Sequence, residues 1–229
     1  MIDKFLSSFF NAYLHFYRFI FFESVCPFCG FFSLNSICKN CQDYFQKMIR
    51  LRKLSSNIFE KELGKVYFDN IYFLFLYSEF SEFIKAYKFE NRAYLLNDVV
   101  NFLYSIKGSE IWQDVDGITF VPNHDKFLNY LICIFIGTKM GLRVFPFFSV
   151  NSKNRKLQHL IEDRKERIKN VKNKFLIKRA SYIEKIKKLG KIVIFDDIST
   201  TGASLNEASK IIKSYNNEIR IDCLVLAKA

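Results

Sequence analysis

The chain has 229 residues, half of them hydrophobic, which is enough to bury one ordinary core and leave a small appended module. Its formal net charge of +12 is concentrated: residues 151–191 hold 15 Lys and Arg against 4 Asp and Glu, and the rest of the chain is nearly neutral. Six cysteines, four of them within residues 26–41, exclude a secreted disulfide ladder and favour metal thiolates in a reducing compartment, so a cytoplasmic location is expected.

Phe is abundant (27) while Gly (8) and Pro (3) are scarce, so most aromatic residues read as core or filler. Residues 5–22 are apolar but contain Asn11, His15 and Arg18, and no cationic lead or small-residue cleavage site accompanies them. A spanning helix needs about 20 nearly uninterrupted apolar residues. The expectation is an aromatic-rich helix docked on the rest of the protein, with no transmembrane span. The competing reading is a helix lying on the inner face of a membrane.

Cys26, Cys29, Cys38 and Cys41 follow as C-x2-C-x8-C-x2-C, with Pro27 and Gly30 at turn positions. Two such knuckles complete a tetrahedral four-sulfur site for zinc, and four protein ligands close the shell, so the metal is expected to be structural. The competing reading is a loop of reduced thiols. Residues 42–64 read as a basic helical connector containing Lys47, Arg50, Arg52 and Lys53, which sets a division between residues 1–64 and 65–229.

From residue 65 strands and helices alternate. Residues 66–68 and 71–77 flank Asp69-Asn70 and predict a hairpin. Helices are expected over 79–89, 92–106 and 126–139, and short strands over 118–121 and 143–147. A strand over 192–195, a helix over 202–215 and a strand over 219–226 complete the pattern. The class is therefore α/β, a mostly parallel sheet covered by helices on both faces, with ligands beyond the strand C-termini.

The run Val193-Ile-Phe-Asp196-Asp197-Ile-Ser199-Thr200-Thr201-Gly202-Ala203-Ser204 is a buried strand, two carboxylates, a hydroxyl-rich turn and a helix start. Asp196 and Asp197 can accept hydrogen bonds from vicinal hydroxyls and lie near magnesium. Ser199, Thr200, Thr201 and Ser204 offer hydroxyls, Gly202 admits close backbone approach, and the amides from Ala203 onward can cradle a phosphate. The competing reading is an acidic turn before an N-capped helix. Pro122 and Asn123, at the end of an earlier strand, are candidates for a second anion loop. His124 reads as a surface residue rather than a base. The basic segment, including Arg164, Arg167, Lys169 and Lys172, could bind a DNA backbone or close as a lid over a ligand, or it could be a solvated loop.

The order Val-Ile-Phe-Asp-Asp-Ile-Ser-Thr-Thr-Gly-Ala-Ser resembles the 5-phosphoribosyl-1-pyrophosphate (PRPP) loop of type I phosphoribosyltransferases. A four-cysteine module ahead of such a loop resembles the ComF family of competence proteins. Further agreement comes from Lys88-Phe89, and from Gln158 through Arg167-Ile-Lys-Asn170-Val171 to Phe175. The resemblance implies a type I phosphoribosyltransferase fold that binds PRPP with magnesium, Lys88 near the site, and a role in handling imported single-stranded DNA beside the uptake machinery. The family's Arg-Gly-Phe-Asn-Gln run is replaced here by Lys126-Phe-Leu-Asn129-Tyr130, which favours sensing of PRPP over turnover. A zinc-decorated salvage phosphoribosyltransferase and a non-catalytic PRPP sensor are the alternative functions.

Overall fold

A computed structural model describes residues 25–33, 35–89, 93–122, 128–151 and 164–229. The apolar segment 5–22, Asn123, His124 and Gln158 lie outside the described residues.

The elements, in chain order, are helix α1 (Lys39–Met48), strand β1 (Arg52–Ser55), α2 (Asn57–Leu63), β2 (Asn70–Leu76), α3 (Tyr77–Phe89) and α4 (Leu96–Ser105). Then come β3 (Gly117–Phe120), α5 (Leu128–Met140), β4 (Phe148–Val150), α6 (Arg164–Val171), β5 (Phe175–Ile177), α7 (Ala180–Ile186), β6 (Lys191–Ser199), α8 (Ala203–Tyr215) and β7 (Arg220–Lys228). Five strands form the central sheet in the order β1-β2-β7-β6-β3. β2, β7, β6 and β3 are parallel, and β1 runs antiparallel on the edge.

The two middle strands, β6 and β7, are buried almost residue for residue, which is why both read as unbroken apolar runs. Side chains alternate between the two faces. Val193, Phe195, Leu224 and Leu226 join the core against α4 and α5, whereas Ile192, Ile194, Ile221, Cys223 and Val225 join the core against α8. The first core is rich in aromatic pairs: Phe75 stacks on Phe80 at 3.8 Å, and Phe80 on Phe83 at 4.5 Å. Among the described residues, no helix is long and apolar enough to cross a membrane.

Two expected elements are different in the structure. Residues 66–68 have no regular structure, and the antiparallel partner of β2 is β1, inside the segment read as a helical connector. Asp69 and Asn70 do not turn the chain back; they fasten the start of β2 to β7. The Asp69 amide donates to Ile221 O at 2.8 Å, the Ile221 amide donates to Asp69 Oδ2 at 2.7 Å, and Asn70 Nδ2 donates to Asp222 Oδ1 at 2.8 Å. Over 143–147 the chain makes only a single parallel bridge, Val144 with Ile118, because Pro146 has no amide with which to extend a ladder. The strand begins later, as β4, and pairs with β5 in a separate two-stranded ribbon.

Lys191 fixes the other end of β6. Its ammonium is 3.2 Å from Asp222 Oδ2, with side chains 7% and 2% exposed, and it donates to the carbonyls of Ile111 at 3.1 Å and Gln113 at 3.0 Å. A buried charge persists only when its partners satisfy it, as here. Removing one partner leaves the other charge orphaned, so Asp222→Ala is expected to cost about 3–5 kcal/mol. Urea unfolding of the two proteins measures that difference, and an unchanged midpoint would count against a stabilising role for the pair.

Candidate functional site

β6 carries Asp196 and Asp197 at its carboxyl end, where the last rungs pair Asp196 with Val225 and Ser199 with Lys228. The turn 200–202 then leads into α8, and Gly202 adopts φ +77. That left-handed conformation suits glycine. A β-carbon at Gly202 would stand 3.5 Å from both Phe59 and Ile71, ordinary packing distances, so the backbone torsion is the constraint on this position. Thr201 Oγ1 accepts from the Ala203 amide at 3.3 Å, so the turn's own hydroxyl caps the helix start. The Lys228 ammonium donates to Thr200 O, and the Ala229 amide donates to Ser199 O at 3.0 Å, which ties the turn to the end of β7.

The carboxylates are sequestered: Asp196 is 8% exposed and Asp197 3%. Asp196 Oδ1 accepts from Asn129 Nδ2 at 3.0 Å and from the Asp197 amide at 3.0 Å, while Asp197 Oδ1 accepts from the Ile198 amide at 2.7 Å. Buried carboxylates are tolerable when such donors surround them. Lys174 contributes from the loop before β5. Burial pushes its ammonium pKa down, and the Asp196 charge opposes that shift. Ser199 Oγ is buried and has no hydrogen-bond partner among the described residues.

Of the residues predicted for this site, Ser199, Thr200, Thr201, Gly202, Ala203 and Ser204 form the turn and the first residues of α8 beside Asp196 and Asp197. Pro122 is half-buried just past β3, the strand beside β6, whereas Lys88 falls near the end of α3 with its side chain outside the described residues. Sequence reasoning did not single out Asn129, Lys174 or Lys228. Asn129 stood within a run noted only for its departures, and Lys174 had no mark beyond its neighbour Phe175.

The basic segment includes α6. Val171 is buried and Ile168 packs on the core, so the helix turns these two inward, and Lys169 on the helix and Lys172 just after it are exposed. Arg164 and Arg167 belong to the same helix, with side chains outside the described residues.

The four-cysteine cluster stands apart in sequence. The ligand atoms of Cys26, Cys29, Cys38 and Cys41 all lie within 4.8 Å of one another, with Cys29 and Cys38 sulfurs 3.5 Å apart. A bridge between Val25 and Phe32 closes the first knuckle, the Cys26 amide donates to Phe31 O at 2.7 Å, and Gly30 takes φ +73 at the bend. Cys38 caps α1, its sulfur accepting from the Cys41 amide at 3.5 Å. Burial raises the Cys26 thiol pKa, but amides of Cys38, Phe28 and Cys29 outweigh it and bring the thiol down to about 7. Cys41 is driven well up by burial and by the neighbouring thiols. Four sulfurs this close cannot all ionise unaided, and a divalent cation resolves that conflict, so the donor set fits a closed tetrahedral thiolate site.

The module is rooted in the main core. Cys26 and Ile37 are buried there, Phe28 lies 5.0 Å from Phe45 and 5.4 Å from Phe83, and Ser36 Oγ donates to the buried Asp98 of α4. No protein-family model matches the chain, and no curated protein matches it.

The purified protein is expected to carry one zinc ion per chain, released on thiol modification and read with a metal-sensitive dye. Cys41→Ser should lose that metal and melt lower by several degrees, since ligand binding stabilises the folded state by mass action. A metal-free preparation with an unchanged melting curve would rule out the cation site.

Proposed function

We propose that the chain is a ComF-like protein with a type I phosphoribosyltransferase fold, binding PRPP with magnesium at the β6–α8 turn. The observation that carries this reading is the placement of an acidic pair at the carboxyl end of a central parallel strand, directly before a hydroxyl-lined turn and a helix start. Ligands of open α/β sheets sit at that end. Asp196 and Asp197 would receive the ribose hydroxyls, and the amides of α8 would take the 5-phosphate, helped by the helix dipole. Asp196 and Asp197 would also offer the oxygen ligands that magnesium prefers, and the ion would supply charge neutralisation of the ligand's phosphates.

The altered run at 126–130 favours a PRPP sensor as the second reading over a salvage enzyme. The thiolate module is read as a structural zinc site, because four sulfur ligands leave no open coordination position. The exposed Lys169 of α6 and Lys172 just after it support the further proposal that the protein handles single-stranded DNA in the cytoplasm during uptake, together with Arg164 and Arg167.

Calorimetric titration with PRPP and magnesium tests the site. Asp196→Ala with Asp197→Ala should weaken binding about a hundredfold, from the loss of charge-assisted hydrogen bonds worth about 1.5–3 kcal/mol each; unchanged affinity would overturn the assignment. Anisotropy of a labelled oligonucleotide across a salt series tests the DNA reading. Lys169→Ala with Lys172→Ala should reduce the log–log salt slope by about 0.7 per lost phosphate contact. An identical slope in both proteins would remove these lysines from the interface.

A further inference from the structure

Asn129 lies in the first turn of α5 and is 1% exposed. Its Nδ2 donates to Val121 O at 3.0 Å and to Asp196 Oδ1 at 3.0 Å. Neither a main-chain carbonyl nor an ionised carboxylate can donate, so the orientation of the amide is fixed by chemistry. The two anchors belong to neighbouring strands: Val121 follows β3 and is itself held by its amide to Phe195 O at 2.9 Å, one residue before Asp196. Asn129 therefore spans from the end of β3 to the acidic pair on β6. Asn129 Nδ2 and the Asp197 amide converge on Oδ1 of Asp196, which helps to fix the plane of the carboxylate.

The other end of the amide is unusual. Asn129 Oδ1 is buried and has no hydrogen-bond partner among the described residues. An unpaired buried acceptor is costly, and an isosteric leucine would pack here without that cost. The amide makes physical sense at this place for what its nitrogen does, which is to satisfy the Val121 carbonyl and the Asp196 carboxylate together.

We propose that Asn129 is the positioning residue of the acidic pair: it holds the Asp196 carboxylate in the orientation that receives the ligand and locks it to the end of β3. This rests on the PRPP reading of the site. Other groups also act on the same carboxylate. Lys174 senses its charge, Asp197 adjoins it, and the buried Cys223 thiol is pushed up by burial first and by Asp222 and Asp196 among other charges.

The test uses the full chain, with magnesium and PRPP as titrants and thermal melting in parallel, from pH 5 to pH 8. Asn129→Ala should weaken binding about tenfold or more, the loss of one charge-assisted hydrogen bond. Asn129→Asp sets two carboxylates against each other, so they share a proton at low pH and repel when both ionise. The folded-state pKa of that pair is raised, so the variant's melting midpoint and its PRPP affinity should both fall as pH rises, relative to the wild type. Adding Asp196→Asn to Asn129→Asp should remove the extra pH dependence of melting without restoring affinity, because the carboxylate then stands on α5 and no longer at the end of β6. Asn129→Asp melting with the wild-type pH profile would overturn the contact, and wild-type affinity in Asn129→Ala would overturn the role. A wild-type protein that ignores PRPP would overturn the ligand reading, and the melting arm would then decide the Asn129 contact alone.

Discussion

Two adjacent carboxylates held almost out of water at the end of a central strand are the constraint around which this structure is arranged. Such a pair is costly unless donors surround it. Donors include the strand's own following amides and the amide of Asn129 from α5, and Lys174, before β5, adds a positive charge that Asp196 feels. At the opposite end of the same strand, Lys191 is buried against Asp222 and a set of carbonyls. β6 thus has a polar anchor at each end and apolar residues between, and a shift of register by one residue would break both anchors and exchange its two faces.

The thiolate module obeys a related logic. So short a module, residues 26–41, cannot bury a core of its own and packs into the main one. Its Phe28 and Phe45 complete the aromatic cluster begun by Phe75, Phe80, Phe83 and Phe102, and Ser36 reaches Asp98. The sulfur cluster and the sheet therefore stabilise each other through shared side chains.

Much of this was legible in the residues. Continuous apolar runs announced β6 and β7, and the cysteine spacing announced a four-sulfur cluster, because both signals are local and need no partner to be recognised. What failed depended on distant partners. Asp69-Asn70 carries turn chemistry, yet its side chains bond to residues 221 and 222, and no local pattern indicates that. β1 is four residues long with alternating exposure and earns its place only by lying beside β2. The same holds at the acidic pair: the sequence displays the two aspartates together, but Asn129 meets Asp196 only because α5 begins beside the end of β3.

Strand order has a consequence for biosynthesis. Residues 220–228 insert between β2 and β6, so both of those strands lack their shared neighbour while the ribosome is still translating the chain. Until β7 emerges, two long apolar edges are open to pairing with other nascent chains, a period in which a chaperone has a defined surface to shield.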